Sequence, residues 1–221
     1  LFQVMEEHGY RVQIAETGSF LSDQPIALEQ RKSSARTSDG ENLTDLLVKQ
    51  TVYYPFYTSG ATDAIEDVMK IVDYMSDPEN LPQGGTFTVT YLCFPHAPFV
   101  VDENGQRISA SLKSDWEDDS AYLGQFKYAT KLMMRMLENV LENDPDAVIL
   151  LQSDHGARAV DGDGSLFLKK FSFEDMTNPL NAVYFRGEDG LDVEGLSTLN
   201  TVRLVLNELL GEKFDMLKLP S

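Results

Sequence analysis

The second half of the chain alternates between strand-like and helix-like patterns of hydrophobic residues. Residues 86–94 are β-branched and aromatic with a nearly continuous apolar second half, which is typical of a strand covered on both faces. Residues 118–143 place apolar side chains at helical spacing and predict a long amphipathic helix. Residues 147–151 and 180–185 predict two further strands, and residues 197–210 predict a closing helix.

The first half of the chain is patterned less regularly. Residues 2–8 predict a helix that ends at Gly9, and residues 10–15 alternate as a strand does. Residues 62–74 predict another helix. The intervening residues 19–60 are mixed and polar, so we expect mostly loop there, with a short helix at 43–48.

Strands and helices alternate from Thr86 onward, which predicts an α/β fold with a mostly parallel sheet between helix layers. Ser197 is a suitable N-cap for the closing helix, and Gly211 is a suitable residue just after its end. The helical spacing of Met133, Met134 and Met136 indicates core packing and not a cofactor site.

The charge of the chain limits its partners. Its 36 acidic and 18 basic residues give a formal net charge of -18, which opposes binding to nucleic acid or anionic lipid. Such a charge suits metal cations, although it also fits an ordinary acidic surface. The single cysteine, Cys93, excludes an intrachain disulfide and a Cys-rich zinc site. No apolar stretch reaches the roughly 18 residues of a membrane span, so we expect no membrane contact from this segment.

Two of the three histidines follow predicted buried strands. His96 lies two residues beyond Phe94, and His155 follows the strand that ends at Leu151. Ligands of open α/β sheets bind outside the carboxyl ends of the strands, so these two positions predict one shared site. The third histidine, His8, follows two glutamates and is expected to be a solvated helix-end residue.

Asp154 and His155 form the sharper pair. A carboxylate beside an imidazole suits Zn, Mn or a similar divalent ion, and Gly156 would let the backbone turn tightly around it. The same residues also fit a capped turn with no ligand.

Two further residues are candidates for anion binding. His96 stands between Pro95 and Pro98, which stiffen its loop, and it could bind an anionic oxygen or protonate a leaving group. Arg158 could pair with a phosphate or sulfate oxygen. Either residue could instead be an ordinary surface side chain.

The order of these elements resembles the sulfatase-like hydrolases of the alkaline phosphatase superfamily. The resemblance rests on Phe-Pro-His-Ala-Pro-Phe-Val from Phe94, on Asp-Glu-Asn-Gly from Asp102, on the helix with Tyr-Leu-Gly-Gln-Phe from Tyr122, and on Gln-Ser-Asp-His-Gly from Gln152. It covers residues 86–211 well and the first 85 residues loosely. The chain is therefore expected to be the C-terminal portion, residues 1–221, of a single sulfatase-like domain.

The resemblance implies roles for the candidate residues. Asp154 and His155 would bind a divalent metal ion (Mn, Zn, Mg or Ca). His96 would contact the transferred phosphoryl or sulfuryl group, and the substrate would be an anionic phosphate or sulfate ester. The parent would be a hydrolase or phosphotransferase of bacterial envelopes, outside the cytoplasm and attached to the membrane through upstream segments.

The nucleophile of the family cannot be placed in this sequence. Gly9 and Tyr10 resemble the helix–Gly–Tyr–strand step that follows it, so we expect the nucleophile and the N-terminal remainder of the domain upstream of Leu1. The isolated chain should then show little or no turnover. The sequence from Ala15 to Gly18, Ala-Glu-Thr-Gly, departs from the Gly-Lys-Trp-His of typical sulfatases. A phosphotransferase therefore stays an alternative to a sulfatase.

Two other classes of function stay possible from the sequence. The chain could be a non-catalytic module that keeps a metal or anion site, with a native start near Leu1. It could also be a structural scaffold in which Asp154 and His155 only cap a turn.

Overall fold

A computed structural model gives the fold. It describes residues 1–16, 61–81, 85–96, 99–108, 119–156, 177–186 and 190–218. The predicted loop at 19–60, the predicted short helix at 43–48 and the candidate anion ligand Arg158 lie outside these ranges.

The described residues form a mixed α/β structure. Its helices are α1 (Phe2–Glu7), α2 (Ala61–Met75), α3 (Asp119–Asn143) and α4 (Thr198–Leu210), and its strands are β1 (Arg11–Glu16), β2 (Thr86–Tyr91), β3 (Ile149–Gln152) and β4 (Asn181–Tyr184). A 3-10 turn, Pro78–Asn80, separates α2 from β2. Each predicted helix and strand in these ranges is confirmed, with ends shifted by up to three residues. The chain divides into two compact units, Leu1–Asn143 and Asp144–Ser221.

The first unit is built on a parallel pair of strands. β1 and β2 pair in register from Arg11 opposite Thr86 to Glu16 opposite Tyr91. Parallel neighbours need a crossover connection, and α2 lies in the chain between them. The carboxyl ends of both strands therefore lie at the same edge, which is where the backbone continues toward His96.

The core of the first unit forms between the two long helices. α2 contributes an apolar stripe at helical spacing, and Leu132 and Met136 of α3 pack against it together with Val101. The stripe of α2 consists of Ile65, Val68, Ile71, Val72 and Met75.

The methionine prediction is partly wrong. Met136 is buried and Met133 packs against the core, but Met134 is 46% exposed. The apolar stripe of an α-helix covers only part of its circumference, so adjacent apolar residues cannot all face one core. Met134 is two residues before Met136, about 200° around the helix axis, and lies on the outer side.

The second unit contains an antiparallel pair of strands. β3 and β4 pair from Ile149 opposite Tyr184 to Gln152 opposite Asn181. The prediction of a mostly parallel sheet therefore holds for β1 and β2 and is wrong for β3 and β4. Ala182 and Tyr184 of β4 are exposed in alternation with less exposed neighbours, and an antiparallel sheet tolerates such a one-sided face.

Candidate metal and anion site

The candidate residues in the described ranges belong to different units. His96 lies in the first unit, and Asp154 and His155 lie in the second.

Asp154 and His155 follow the end of β3, as predicted. Ser153 anchors this turn to the segment that leads into β4, because its amide donates to Leu180 O at 3.0 Å and its hydroxyl accepts from Leu180 N at 2.8 Å. The same hydroxyl donates to His155 O at 3.0 Å. The backbone of the turn is thus attached to the sheet immediately before the two candidate ligands.

The side chains of Asp154 and His155 lie close to each other. His155 Nε2 is 3.8 Å from Asp154 Oδ1, and the side chains are 32% and 73% exposed, respectively. Asp154 Oδ1 also accepts a hydrogen bond from His155 N at 3.0 Å. An exposed carboxylate beside a half-buried imidazole leaves both accessible to a dissolved cation.

A backbone carbonyl selects the tautomer of His155. Its Nδ1 lies 2.7 Å from Gly156 O, and because a carbonyl oxygen can only accept, Nδ1 must carry the proton. The neutral ring then presents the lone pair of Nε2. Metal-binding histidines characteristically use the other ring nitrogen in this way, which fixes the orientation of the ring.

A polar network underlies the turn, and the sequence reasoning did not identify it. Gln152 Nε2 donates to Asn181 Oδ1 at 2.9 Å and to Thr198 O at 3.0 Å. Asn181 Nδ2 donates to Leu196 O at 3.2 Å and to Thr201 Oγ1 at 2.8 Å. These bonds join the ends of β3 and β4 to the first turn of α4. The sequence feature that could have indicated this network is the pair of amide side chains, Gln152 and Asn181, near the ends of the predicted strands.

His96 lies just beyond β2, as predicted, and is exposed. The backbone on either side of it is held by Gln125 of α3, a completely buried side chain that the sequence reasoning did not single out. Phe99, three residues after His96, is buried against the ring of Tyr122, with the ring centroids 5.6 Å apart. Burial raises the pKa of the Tyr122 phenol.

The segment that follows His96 folds back on itself and rests on α3. Val101 pairs with Arg107 in an antiparallel bridge, and the turn between them is closed by Asp102 Oδ1, which accepts from the amides of Asn104 and Gln106. We call residues 99–108 the hairpin.

Charged contacts attach the hairpin to α3. Lys127 Nζ is 2.9 Å from Glu103 Oε2, and Lys131 Nζ donates to Glu103 O at 2.7 Å. The hydrogen bond and positive charge of Lys127 lower the pKa of the Glu103 carboxyl. The hairpin lies directly against the helix at Gly124, where an added Cβ would be 3.4 Å from the backbone of Asp102, about van der Waals contact.

The described residues offer two candidate metal ligands at this turn, Asp154 and His155. No group of three or more His, Cys, Asp or Glu side chains converges within the described ranges. Zinc sites in proteins use at least three protein ligands, so a resident ion would need ligands in addition to Asp154 and His155.

Known proteins add no independent assignment. The chain has no significant match among protein-family models, curated proteins or solved structures. The resemblance to the sulfatase-like hydrolases therefore rests on the sequence motifs alone. None of the helices in the described ranges is both long and apolar enough to cross a membrane.

Proposed function

We propose that this chain carries part of the metal and anion site of a metal-dependent phosphate- or sulfate-ester hydrolase or transferase with an alkaline phosphatase-like fold. The observation that carries the proposal is the turn after β3, where Asp154 Oδ1 and His155 Nε2 lie 3.8 Å apart and His155 Nδ1 is occupied by Gly156 O. The parent protein would work outside the cytoplasm, as the resemblance implies.

The two ligand atoms fit one divalent ion. Bonds from zinc are about 2.0–2.1 Å to imidazole nitrogen and about 2.0–2.2 Å to carboxylate oxygen, so one ion separates the two atoms by roughly 3.4 Å at the tetrahedral angle and by at most about 4.3 Å. The observed separation of 3.8 Å lies within that reach. A mixed nitrogen and oxygen pair fits Zn or Mn better than it fits Ca, which prefers oxygen ligands alone.

Each residue has a defined part in the proposed reaction. A metal ion at Asp154 and His155 would activate the nucleophile and neutralise charge on the substrate oxygens. The imidazole of His96, an exposed residue, would contact the transferred group and donate a proton to the leaving oxygen. Arg158 would pair with a non-bridging oxygen of the ester.

Metal binding by the full-length native protein tests this proposal. We expect its isothermal titration with Mn²⁺ or Zn²⁺ to show saturable binding that Asp154→Asn and His155→Gln each weaken by at least about 10-fold, because losing a supporting residue alone costs about 10–100-fold. Asp192→Asn is the matched control in the same unit, since Asp192 is exposed and its Oδ1 also accepts a backbone amide, from Glu194 at 3.0 Å. His8→Gln is the control for an exposed imidazole.

The outcomes separate the three classes of function. Metal affinity that is absent, or unchanged by Asp154→Asn and His155→Gln, would leave only a capped turn and a scaffold. Metal binding at this pair, with no hydrolysis of aryl phosphate or aryl sulfate by the full-length native protein, would identify a non-catalytic binding module.

A further inference from the structure

Gln125 is the most completely buried polar side chain near the candidate anion ligand. It lies on α3 and is 0% exposed. We propose that Gln125 is a positioning residue that fixes the backbone, and thereby the imidazole direction, of His96. This inference rests on the role proposed above for His96.

The amide of Gln125 bonds to the chain on both sides of His96. Its Oε1 accepts from Val100 N at 2.9 Å. Its Nε2 donates to His96 O at 3.0 Å and to Pro95 O at 3.3 Å. One side chain thus supplies hydrogen-bond partners to three backbone groups, two at residues 95–96 and one at Val100.

The chemistry of these contacts determines the orientation of the amide. Exchanging the oxygen and nitrogen of Gln125 would place Oε1 against two carbonyl oxygens and Nε2 against an amide N–H. Both arrangements would be repulsive, so only the observed orientation satisfies all three groups. An unpaired polar group at this depth would be costly, which makes the arrangement specific.

The helix that carries Gln125 is itself fixed. α3 packs into the core of its unit through Leu132 and Met136, and it is attached to the hairpin through Lys127 and Lys131. A side chain on a packed helix has a better defined position than one on a loop. The His96 backbone therefore takes its position from α3, although His96 is an exposed residue.

Two substitutions remove this support in different ways. Gln125→Met is close in size and removes all three hydrogen bonds. Gln125→Glu keeps the acceptor for Val100 N but replaces the donor to His96 O and Pro95 O with a carboxylate oxygen. Asn139→Leu is the matched control, because Asn139 lies on the same helix and its amide donates to a backbone carbonyl elsewhere, Met75 O at 2.9 Å.

The histidine rings provide a direct readout. The chain has three histidines, so the Cε1–Hε1 correlations can be assigned with single His→Gln variants. We expect the His96 correlation to move or split in both Gln125 variants, while His8 and His155 stay in place and Asn139→Leu leaves all three unchanged. Inorganic phosphate, followed through the same His96 correlation, should bind about 10-fold more weakly to the Gln125 variants than to the wild type.

Each result decides between defined outcomes. A His96 correlation that overlays on the wild type in both folded Gln125 variants, or that moves equally in Asn139→Leu, would overturn the positioning role. Failure of phosphate to perturb His96 in the wild type would instead count against the proposed function, because the response of the ring to Gln125 needs no ligand. If neither variant folds, an absent nuclear Overhauser contact between the Gln125 amide protons and His96 Hα in the wild type would overturn the inference.

Discussion

At the scale of single residues, one glycine determines how the hairpin meets α3. Gly105 has φ +77°, in the left-handed region, and an added Cβ would lie 2.4 Å from Tyr128 Cζ. The Tyr128 ring is held in place by an edge-on contact with Phe94, with centroids 6.4 Å apart, and by its hydroxyl contact to Met69. It cannot move away without losing those contacts.

We expect Gly105→Ala to lower the free energy of unfolding of the first unit by about 2 kcal/mol or more, since strained backbone and overpacking add together. Gly85→Ala is the control, because Gly85 has φ +61° but no atom within 4 Å of the added Cβ. Gly85→Ala should lower the free energy of unfolding by only about 1 kcal/mol, because only the strained backbone contributes there. Urea denaturation measures both. Equal losses in the two variants would show that the contact with Tyr128 contributes nothing.

At the scale of elements, α4 organises the chain that follows it. The helix follows the predicted N-cap Ser197, whose Oγ accepts from Asn200 N at 3.3 Å, and ends at Leu210, just before Gly211 with φ 72°. Beyond Gly211 the chain returns along the helix. Asparagine side chains of α4 bond in pairs to its backbone: Asn200 exchanges two hydrogen bonds with Leu217, and Asn207 exchanges two with Phe214.

We expect Asn200→Ala to lower the free energy of unfolding of the second unit by about 2–3 kcal/mol, because both Leu217 backbone groups lose their partner. Asn200→Asp keeps the acceptor for Leu217 N, so its free energy of unfolding should lie between those of the wild type and Asn200→Ala. Hydrogen exchange at the Leu217 amide should accelerate in Asn200→Ala while the Phe214 amide keeps its protection. An unchanged Leu217 amide would contradict this interpretation.

At the scale of the whole molecule, the net negative charge limits which partners the chain can bind. The net charge of -18 comes from twice as many acidic as basic residues, 36 against 18. A polyanion such as DNA would have to approach this field without the Lys/Arg contacts that release its counterions. A divalent cation would be attracted by the same field.

We expect the chain to bind duplex DNA no more tightly than about 10⁻⁴ M at physiological salt, the weak limit of non-specific binding. Fluorescence anisotropy with a labelled oligonucleotide measures this. A basic DNA-binding protein titrated under the same conditions serves as the positive control. Micromolar affinity that weakens steeply with added salt would show that a local basic surface outweighs the net charge.

The sequence by itself determined the local elements and the positions of the candidate ligands. Periodicity of the apolar residues predicted α2, α3 and α4, and the capping residues Ser197 and Gly211 placed the ends of α4. Asp154 and His155 were predicted to follow a strand because a short apolar run precedes them. These features depend on residues a few positions apart, so the local sequence contains the information.

Only the tertiary structure decided the partners of polar side chains and the direction of β4. Gln125 bonds to groups 25–30 residues away, and Asn181 to a residue 20 away, separations at which sequence spacing specifies no geometry. The direction of β4 likewise depends on how the chain between β3 and β4 returns, whereas an apolar run has the same pattern in either direction. Long-range packing and the need to satisfy buried polar groups settle both.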